Sequence, residues 1–308
     1  MKALLAALRS PAYWRKGFSA GRVISALLAS FGGMWLGAEI LSFFSPTAGD
    51  WLRGQWVAFL VAGTAIAAWQ NRPRTRFSCR LAGRDVTIEV RVGDMFALPG
   101  AFVIGSNTTF DTELETGLIS KRSVQGQFTL AFYDSVKHLD SDLASALVGM
   151  ASETASAGKI GKTAVYPIGT TIRVAAKSRR AYFLALAEIN HHGVAQATFD
   201  DLKNSLPKLW DYIATKGGDF GPIVMPVLGS GFSRLPQRRD EIIREIVKSF
   251  VAACSSYRPT EALTIVVPFG DFYDHELDLI ELEAYVRHVC RYTEYLPPGA
   301  SGTGKALL

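Results

Sequence analysis

Residues 223–236 read IVMPVLGSGFSRLP, an apolar run that ends in Gly-Ser-Gly and continues with an aromatic residue, a serine and an arginine. Short apolar runs bounded by glycine or proline are typical of buried strands. A glycine-rich turn after such a strand exposes backbone N–H groups at the carboxyl edge of a sheet, where anions bind in open α/β folds. The stretch predicts a strand and a phosphate-binding turn, with Ser230, Ser233 and Phe232 near the ligand. A plain tight turn is the alternative.

Other short apolar runs and helical patterns alternate along the soluble part of the chain. Strands are predicted at 85–92, 101–105, 163–169, 181–189, 222–228 and 263–268, and helices at 140–155, 200–215, 238–254 and about 275–290. Pro207 is expected to kink or restart the second of these helices. The alternation predicts a three-layer α/β/α sandwich around a mixed, largely parallel sheet.

Two common nucleotide-binding motifs are absent from the sequence. In the 229–234 segment the third glycine of a Rossmann fingerprint would fall at Arg234. The stretch SAGKIGKT, residues 156–163, ends like a P-loop, but Ser156 replaces the leading glycine and a strand is predicted where a helix is required. These departures argue against nucleoside triphosphate hydrolysis.

The N-terminal region carries two apolar segments. Val23 to Phe44 is 22 residues long and holds one ionisable side chain, Glu39, so that it is long enough to cross a membrane as a helix. The run from Trp56 to Trp69 is shorter, extends back to Gly54, and has tryptophan at both ends, as interfacial aromatics often do. We expect a two-helix transmembrane hairpin (about 23–44 and 54–70), and the alternative is a cleaved signal peptide. Glu39 is a candidate functional residue of the membrane segment, although it lies near enough to the helix end to reach the interface.

The distribution of basic residues predicts the orientation of this hairpin. Five basic residues precede the first span and five follow the second, whereas the connecting loop 45–55 holds only Arg53. The positive-inside rule then places both termini in the cytoplasm of a multi-pass inner-membrane protein. The net charge of +5 lies partly at these flanks, which favours lipid contact over nucleic acid. The three cysteines are widely spaced and are expected to be reduced, and no metal site is predicted.

These observations divide the chain into five segments. They are a basic N-terminal segment (1–22), the two transmembrane helices (23–70), a basic linker (71–84), a nucleotide-binding domain (85–292) and a disordered tail (293–308).

Several segments of the soluble domain resemble the macro domains, which bind ADP-ribose and its derivatives. VRVGDMF resembles the exit of the family's first strand, which implies that Asp94, with Met95 beside it, lies near the adenine amino group. AFVIGSNTTFDTE resembles the segment near the distal ribose, which points to Ser106 and Asn107. The resemblance extends from about residue 85 to 290.

The remaining macro-like segments surround the phosphates and the adenine. GLISKRSVQGQF takes the place of the glycine-rich first phosphate loop and retains only Gly117 and Gly126, with Gln125 beside the latter. VMPVLGSGFSRLP resembles the second phosphate loop, and IVVPFGD resembles the last strand, where Phe269 would pack beside adenine. The second loop contributes the candidate ligand residues Leu228, Gly229, Ser230, Gly231, Phe232 and Ser233.

The combination of a two-helix anchor and a macro-like domain is similar to the membrane-anchored effectors of type II Thoeris antiphage defence. That resemblance implies a non-enzymatic sensor without a cofactor. A TIR-domain partner would make a histidine-ADP-ribose conjugate from NAD, and the effector would bind it, oligomerise and disrupt the membrane, causing abortive infection. A membrane-tethered ADP-ribosyl hydrolase using Asn107, Asp111 or Glu113 is the alternative. A scaffold without a ligand is the third hypothesis.

Overall fold

The computed structural model describes residues 20–72, 74–155, 158–177, 179–189, 195–218, 221–229, 235–274 and 277–292. The chain divides after Thr75 into two units. The predicted ligand residues 230–233 and the predicted disordered tail, residues 293–308, lie outside the described residues.

The described residues of the first unit, 20–72 and 74–75, form three apolar or amphipathic helices: α1 (Ala20–Phe44), α2 (Pro46–Gly54) and α3 (Trp56–Gln70). Helices α1 and α3 pack against each other, and the Phe31 ring lies against Gly63, where a larger residue would collide with it. Ala26 and Ala67 are buried in this unit, whereas long apolar side chains such as Leu28 and Trp35 are exposed. Helix α1 is long and apolar enough to cross a membrane, and α3 is shorter.

The segment predicted to be the connecting loop, residues 45–55, is mostly helical. Pro46 occupies the first turn of α2, where its missing N–H costs no hydrogen bond. The chain leaves helical geometry at Gln55, with φ of −97° and ψ of 28°, so that α3 begins at Trp56 and not at residue 54. Its 15 residues extend for about 22 Å, less than the ~30 Å of a hydrocarbon core.

The second unit is built on a mixed sheet. Its strands are β1 (Arg76–Arg80), β2 (Thr87–Val92), β3 (Ala101–Asn107), β6 (Thr171–Ala176), β7 (Arg179–Ile189), β8 (Ala195–Gln196), β9 (Ile223–Pro226) and β10 (Ala262–Val267), and β4 (Glu153–Thr154) with β5 (Ala164–Val165) forms a separate small ladder. The sheet has the order β1-β2-β10-β9-β3-β7-β6, and β8 pairs with β7. The five strands from β2 to β7 are mutually parallel, and β1, β6 and β8 are antiparallel to their neighbours.

Helices cover both faces of this sheet. They are α4 (Val124–Phe132), α5 (Val136–Leu147), α6 (Phe199–Lys216), α7 (Arg239–Ser256), α8 (Phe269–Asp274) and α9 (Leu279–Tyr292). Phe128 of α4 and Leu143 of α5 share a buried core with Phe102 and Phe183 of the sheet. On α6 and α7, Trp210 and Phe250 pack edge to face with ring centroids 5.1 Å apart. The arrangement confirms the predicted α/β/α sandwich with a mixed, largely parallel sheet.

Several predicted boundaries are wrong. The predicted linker includes β1, which pairs along its length with β2. The helix expected at 140–155 begins at Val136, because Ser135 caps it, and ends at Leu147, before Gly149 takes a φ of 78°. The strand expected at 163–169 is reduced to Ala164–Val165. Helix α6 continues through Pro207 without interruption.

Candidate functional site

The candidate ligand residues follow four neighbouring parallel strands. Strands β2, β10, β9 and β3 are adjacent in that order, so that their carboxyl ends lie along one edge of the sheet. The segments that leave this edge begin with Gly93, Pro268, Val227 and Thr108. Ligands collect at such an edge in open α/β sheets.

We call the residues that directly follow the carboxyl end of a strand its exit. At the exits of β2 and β10, two candidate residues are accessible to a ligand. The backbone N–H of Gly93 donates to the carbonyl of Val267 at 2.9 Å, which joins the two exits. Asp94 is exposed, and its Oδ1 accepts a hydrogen bond from the Phe96 N–H at 2.9 Å, capping the 3₁₀ turn Met95–Ala97. Phe269 is half-buried at the start of α8. Asp94 and Phe269 are therefore positioned on adjacent exits with surface available for a ligand.

Met95 lies on the same turn but has a different environment. Its side chain is 6% exposed and belongs to the core that includes Phe102 and Phe128. Its burial favours a packing role at this turn, and its assignment to the ligand site stays a prediction.

The segment that follows β9 requires glycine at position 229. Gly229 has a φ of 72°, and a side chain at this position would collide with the Leu235 side chain. The Leu235 N–H donates to the Gly229 carbonyl at 3.1 Å, which closes the loop at its base. Leu228 is buried and lies beside Gly105 of β3. The loop is thus fixed at both ends by packing, and its predicted contacts with phosphate stay a prediction.

The exit of β3 is a buried hydrogen-bond network. The Asn107 side chain is 4% exposed, and its Oδ1 accepts hydrogen bonds from the backbone N–H groups of Thr109 and Asp111 at 3.1 and 3.0 Å. Its Nδ2 donates to Asp111 Oδ2 at 3.2 Å. Asn107 therefore holds the turn after β3 in place with its own side chain.

Asp111, which is 1% exposed, forms the centre of this network. Its Oδ2 accepts from Thr109 Oγ1 at 2.5 Å and from Lys159 Nζ at 3.0 Å, and its Oδ1 accepts from the Lys162 N–H at 2.7 Å. The Lys159 side chain is 8% exposed and also donates to the carbonyls of Ile160 and Lys162. This buried ion pair satisfies both charges and fastens the segment around residues 158–162 to the β3 exit.

Lys162 adds a second attachment of that segment. Its Nζ donates to the Phe110 carbonyl at 2.8 Å and pairs with Asp140 of α5. Gly161 lies against the Asp111 carboxylate with a φ of 92°, so that a side chain would not fit there. In the sequence this glycine-lysine segment resembles only the end of a P-loop. The glycines at 158 and 161 indicated a turn, but no sequence signal identified Asp111 as its partner.

Ser106, Gln125 and Gly126 connect the β3 exit to the start of α4. Ser106 Oγ donates to Gln125 Oε1 at 3.1 Å, and Gln125 Nε2 donates to the Asp111 carbonyl at 2.6 Å. Gly126 packs against the backbone of Ser120 and Lys121, where a larger residue would collide. The segment that takes the place of the first phosphate loop therefore enters a helix at Val124, capped by Ser123. The ligand roles of Gln125 and Gly126 stay predictions.

Two further observations concern the rest of the second unit. Among the described residues no group of three or more His, Cys, Asp or Glu side chains has the arrangement of a metal site. A cavity of about 160 Å³, lined by residues that include Gly100, Arg179, Arg180 and Pro222, lies at the amino ends of β3, β7 and β9. It is therefore at the edge of the sheet opposite the candidate ligand residues.

Comparison of this chain with known proteins identifies its family. A family model described as "Thoeris protein ThsA, Macro domain" matches residues 88–268, more than half of the chain. The Thoeris protein ThsA of Bacillus amyloliquefaciens (strain Y2) is 23% identical over 192 residues, which are 60% of this chain and 63% of that protein. The match therefore spans less than two thirds of the curated relative.

Solved macrodomains are also similar. The Oceanobacillus iheyensis macrodomain with ADP shares 17% identity, with a TM-score of 0.45, and the match covers 68% of this chain and 99% of that one. A mutant of the same macrodomain shares 14% identity, with a TM-score of 0.46 and coverage of 70% and 96%. The family model spans the strands from β2 to β10, whose exits carry the candidate residues. This chain is a member of the family of Thoeris protein ThsA macro domains.

Proposed function

We propose that this chain is a membrane-anchored effector of Thoeris antiphage defence that binds an ADP-ribose-derived signal. The signal is a histidine-ADP-ribose conjugate made by a TIR-domain partner. Binding drives assembly of several copies, and the assembled anchors disrupt the inner membrane, which causes abortive infection. The observation that carries this proposal is the joining of a Thoeris macro domain, residues 88–268, to an N-terminal helix long and apolar enough to cross a membrane.

The geometry of the sheet edge supports a binding site for a nucleotide. The exposed Asp94 carboxylate can accept a hydrogen bond from an adenine amino group, and the half-buried Phe269 offers a ring face on the adjacent exit. The loop from Gly229 to Leu235 is closed at its base. Glycine-rich turns after strands can present backbone N–H groups to a diphosphate, and we propose that role for this stretch of the sequence.

The β3 exit supports signal binding over hydrolysis. A general base needs a free lone pair directed at the substrate or its attacking water. The Asp111 carboxylate accepts hydrogen bonds from Asn107, Thr109, Lys159 and Lys162 and is almost completely buried. Its oxygens are committed to the fold, which disfavours Asp111 as the base of an ADP-ribosyl hydrolase.

Assembly requires that the ligand stabilise the oligomer more than the monomer, because a ligand with equal affinity for both shifts no equilibrium. In α1, Gly32, Gly33 and Gly37 have open space beside them within the first unit, and Glu39 is exposed. Small residues let helices approach closely in lipid. We propose that the side of α1 that carries both Gly32 and Glu39, which are about two helical turns apart, meets its copies, and that Glu39 then lines the route by which the membrane leaks.

The binding step is tested by calorimetric titration of the full-length protein in detergent micelles with ADP-ribose, NAD and a histidine-ADP-ribose conjugate. We expect the conjugate to bind most tightly, and Asp94→Ala and Gly229→Val to weaken its binding. Light scattering on the same samples should show a conjugate-dependent increase in mass. Absence of heat with all three ligands would overturn the proposal, and binding without a change in mass would remove assembly from it.

The membrane step and the hydrolase alternative need separate assays. Bacteria that express the chain with its TIR-domain partner should lose viability on infection, and Glu39→Ala should prevent that loss without changing conjugate affinity. Toxicity that survives this substitution would exclude Glu39 from the leak. Release of free ADP-ribose from a modified protein by the purified chain would establish the hydrolase alternative.

A further inference from the structure

Cys79 and Cys290 are neighbours in the second unit although they are far apart in sequence. Cys79 lies on β1, Cys290 lies on α9, and they are 6% and 2% exposed. The backbone N–H of Ala82, just after β1, donates to the Cys290 carbonyl at 2.9 Å, which fixes this end of α9 beside the strand. Each thiol shifts the pKa of the other, which indicates that the two side chains lie within interaction range. They therefore form a buried dithiol between the first strand and the last helix of this unit.

The environment makes the two sulfur atoms unequal. The interaction with the Cys290 side chain lowers the pKa of the Cys79 thiol, and the Arg287 guanidinium lowers it further, although burial and Glu283 act in the opposite direction. The same interaction, together with burial, raises the pKa of Cys290. Arg287 is held next to the pair by hydrogen bonds of 2.9 and 2.7 Å to Glu283 Oε1. Cys79 is thus the sulfur better suited to carry negative charge, and Cys290 is its proton donor.

The third cysteine, Cys254, contributes to the raised pKa of Cys290, but neither thiol of the pair is among the causes of its own pKa shift. Cys254 is buried in α7, and burial raises its pKa to about 12. A thiol that keeps its proton does not make the first attack on peroxide, which requires a thiolate. Cys254 therefore provides an internal control for the pair.

We propose that Cys79 and Cys290 are a modification site: a redox-active dithiol that peroxide converts to a disulfide joining β1 to α9. In the first step the Cys79 thiolate attacks one oxygen of hydrogen peroxide, the O–O bond breaks, and sulfenic acid and hydroxide are formed. In the second step that hydroxide deprotonates Cys290 and becomes water, and the Cys290 thiolate attacks the Cys79 sulfur and displaces hydroxide. The displaced hydroxide takes up the proton that Cys79 released when it ionised, which gives the second water. The sum is two thiols and one peroxide giving one disulfide and two waters.

The disulfide would close a loop that contains nearly the whole second unit, because β1 begins that unit and α9 is its last described helix. Cross-links that close long loops restrict the unfolded chain most. We therefore expect oxidation to raise the melting temperature of the second unit by roughly 5–10 °C.

The test uses full-length protein in detergent micelles, purified under reducing conditions and then treated with stoichiometric hydrogen peroxide. Mass spectrometry without reductant should show a loss of about 2 Da. Peptide mapping should show Cys79 linked to Cys290, and the melting temperature should rise and return after dithiothreitol. Cys254→Ser should behave as wild type, whereas Cys79→Ser and Cys290→Ser should show neither the link nor the shift.

Three results would overturn the proposal. They are a link that involves Cys254, oxygen adducts on Cys79 without a link to Cys290, and an equal rise in melting temperature in Cys79→Ser. Peptide mapping of the wild-type protein decides between them without a variant, so a folding defect in either serine variant does not obscure the answer.

Discussion

The exit of β3 and the exits of β2 and β10 lie along the same edge of the sheet and are built in opposite ways. At the β3 exit Asn107 and Asp111 are buried, and each polar atom described above is hydrogen bonded within the protein. At the β2 and β10 exits Asp94 is exposed and Phe269 is half-buried. The first region is a scaffold, whereas the second has groups available to a ligand.

This contrast separates stability from binding. Substitutions in the β3 network should act mainly on the free energy of unfolding, since they leave buried polar groups without partners. Substitutions at Asp94 and Phe269 should act mainly on ligand affinity.

The largest effect is expected from Asp111→Asn. Asparagine keeps the shape of the side chain but leaves the buried ammonium of Lys159 without a counter-charge. Breaking a buried ion pair from one side costs about 3–5 kcal/mol. We expect a loss of that size in the free energy of unfolding, measured by guanidinium denaturation of the full-length protein in detergent.

The matched control for Asp111→Asn is Asp85→Asn. Asp85 pairs with Arg80 at 2.6 Å, but both side chains are more than 70% exposed. An exposed ion pair contributes about 0–1 kcal/mol to the free energy of unfolding. If the two substitutions destabilised the protein equally, the β3 exit would not be the buried scaffold inferred from its contacts.

The second largest effect is expected from Gly229→Ala, with Gly93→Ala as its control. Both glycines follow parallel strands, but Gly229 has a positive φ and lies against Leu235, whereas Gly93 has open space beside it. We expect Gly229→Ala to lower the free energy of unfolding by about 1–3 kcal/mol. Gly93→Ala should change it by less than about 0.5 kcal/mol. Thermal unfolding measures both. Equal losses would contradict a conformational requirement specific to Gly229.

The sequence predicted the fold well because the parallel strands are buried. β7, β9 and β10 each appear as a short apolar run, as a strand covered on both faces requires, whereas β2 alternates polar and apolar residues and buries only one face. The pattern failed at 163–169, which is equally apolar. There the Tyr166 N–H donates to the Thr108 carbonyl at 2.8 Å, so that the chain joins the β3 exit and does not continue the ladder.

The candidate site was predictable where a motif is continuous and unpredictable where it is assembled from distant segments. Asp94 and Gly229 lie in short stretches that resemble macro-domain segments. The Asp111–Lys159 pair joins residues 48 positions apart, and neither residue belongs to a pattern that indicates the other. Only the folded chain shows that the 158–162 segment supports the β3 exit.

An intermediate effect, on affinity, is expected from Asp94→Asn. The amide oxygen can still accept the hydrogen bond from Phe96 that caps the 3₁₀ turn, so stability should change little. A hydrogen bond from an adenine amino group to a charged acceptor contributes more than one to a neutral acceptor. We expect conjugate affinity to fall about tenfold, which is a loss of about 1.4 kcal/mol. Calorimetry and thermal unfolding of the same sample separate the two effects, and a matching loss of stability would assign Asp94 a structural role instead.

The smallest effect is expected from Phe269→Leu, compared with Phe96→Leu. Leucine at 269 keeps apolar contact but loses the aromatic face, and aromatic pairing contributes about 0.5–1.5 kcal/mol beyond area burial. Conjugate affinity should therefore fall about two- to tenfold while the melting temperature changes little. Phe96 packs instead against the rings of Phe102 and Phe132, with centroids 5.3 and 5.7 Å away, so its substitution should lower the melting temperature and leave affinity nearly unchanged. If both variants lost only stability, the half-buried ring at the β10 exit would belong to the scaffold, and the open part of the sheet edge would be limited to Asp94.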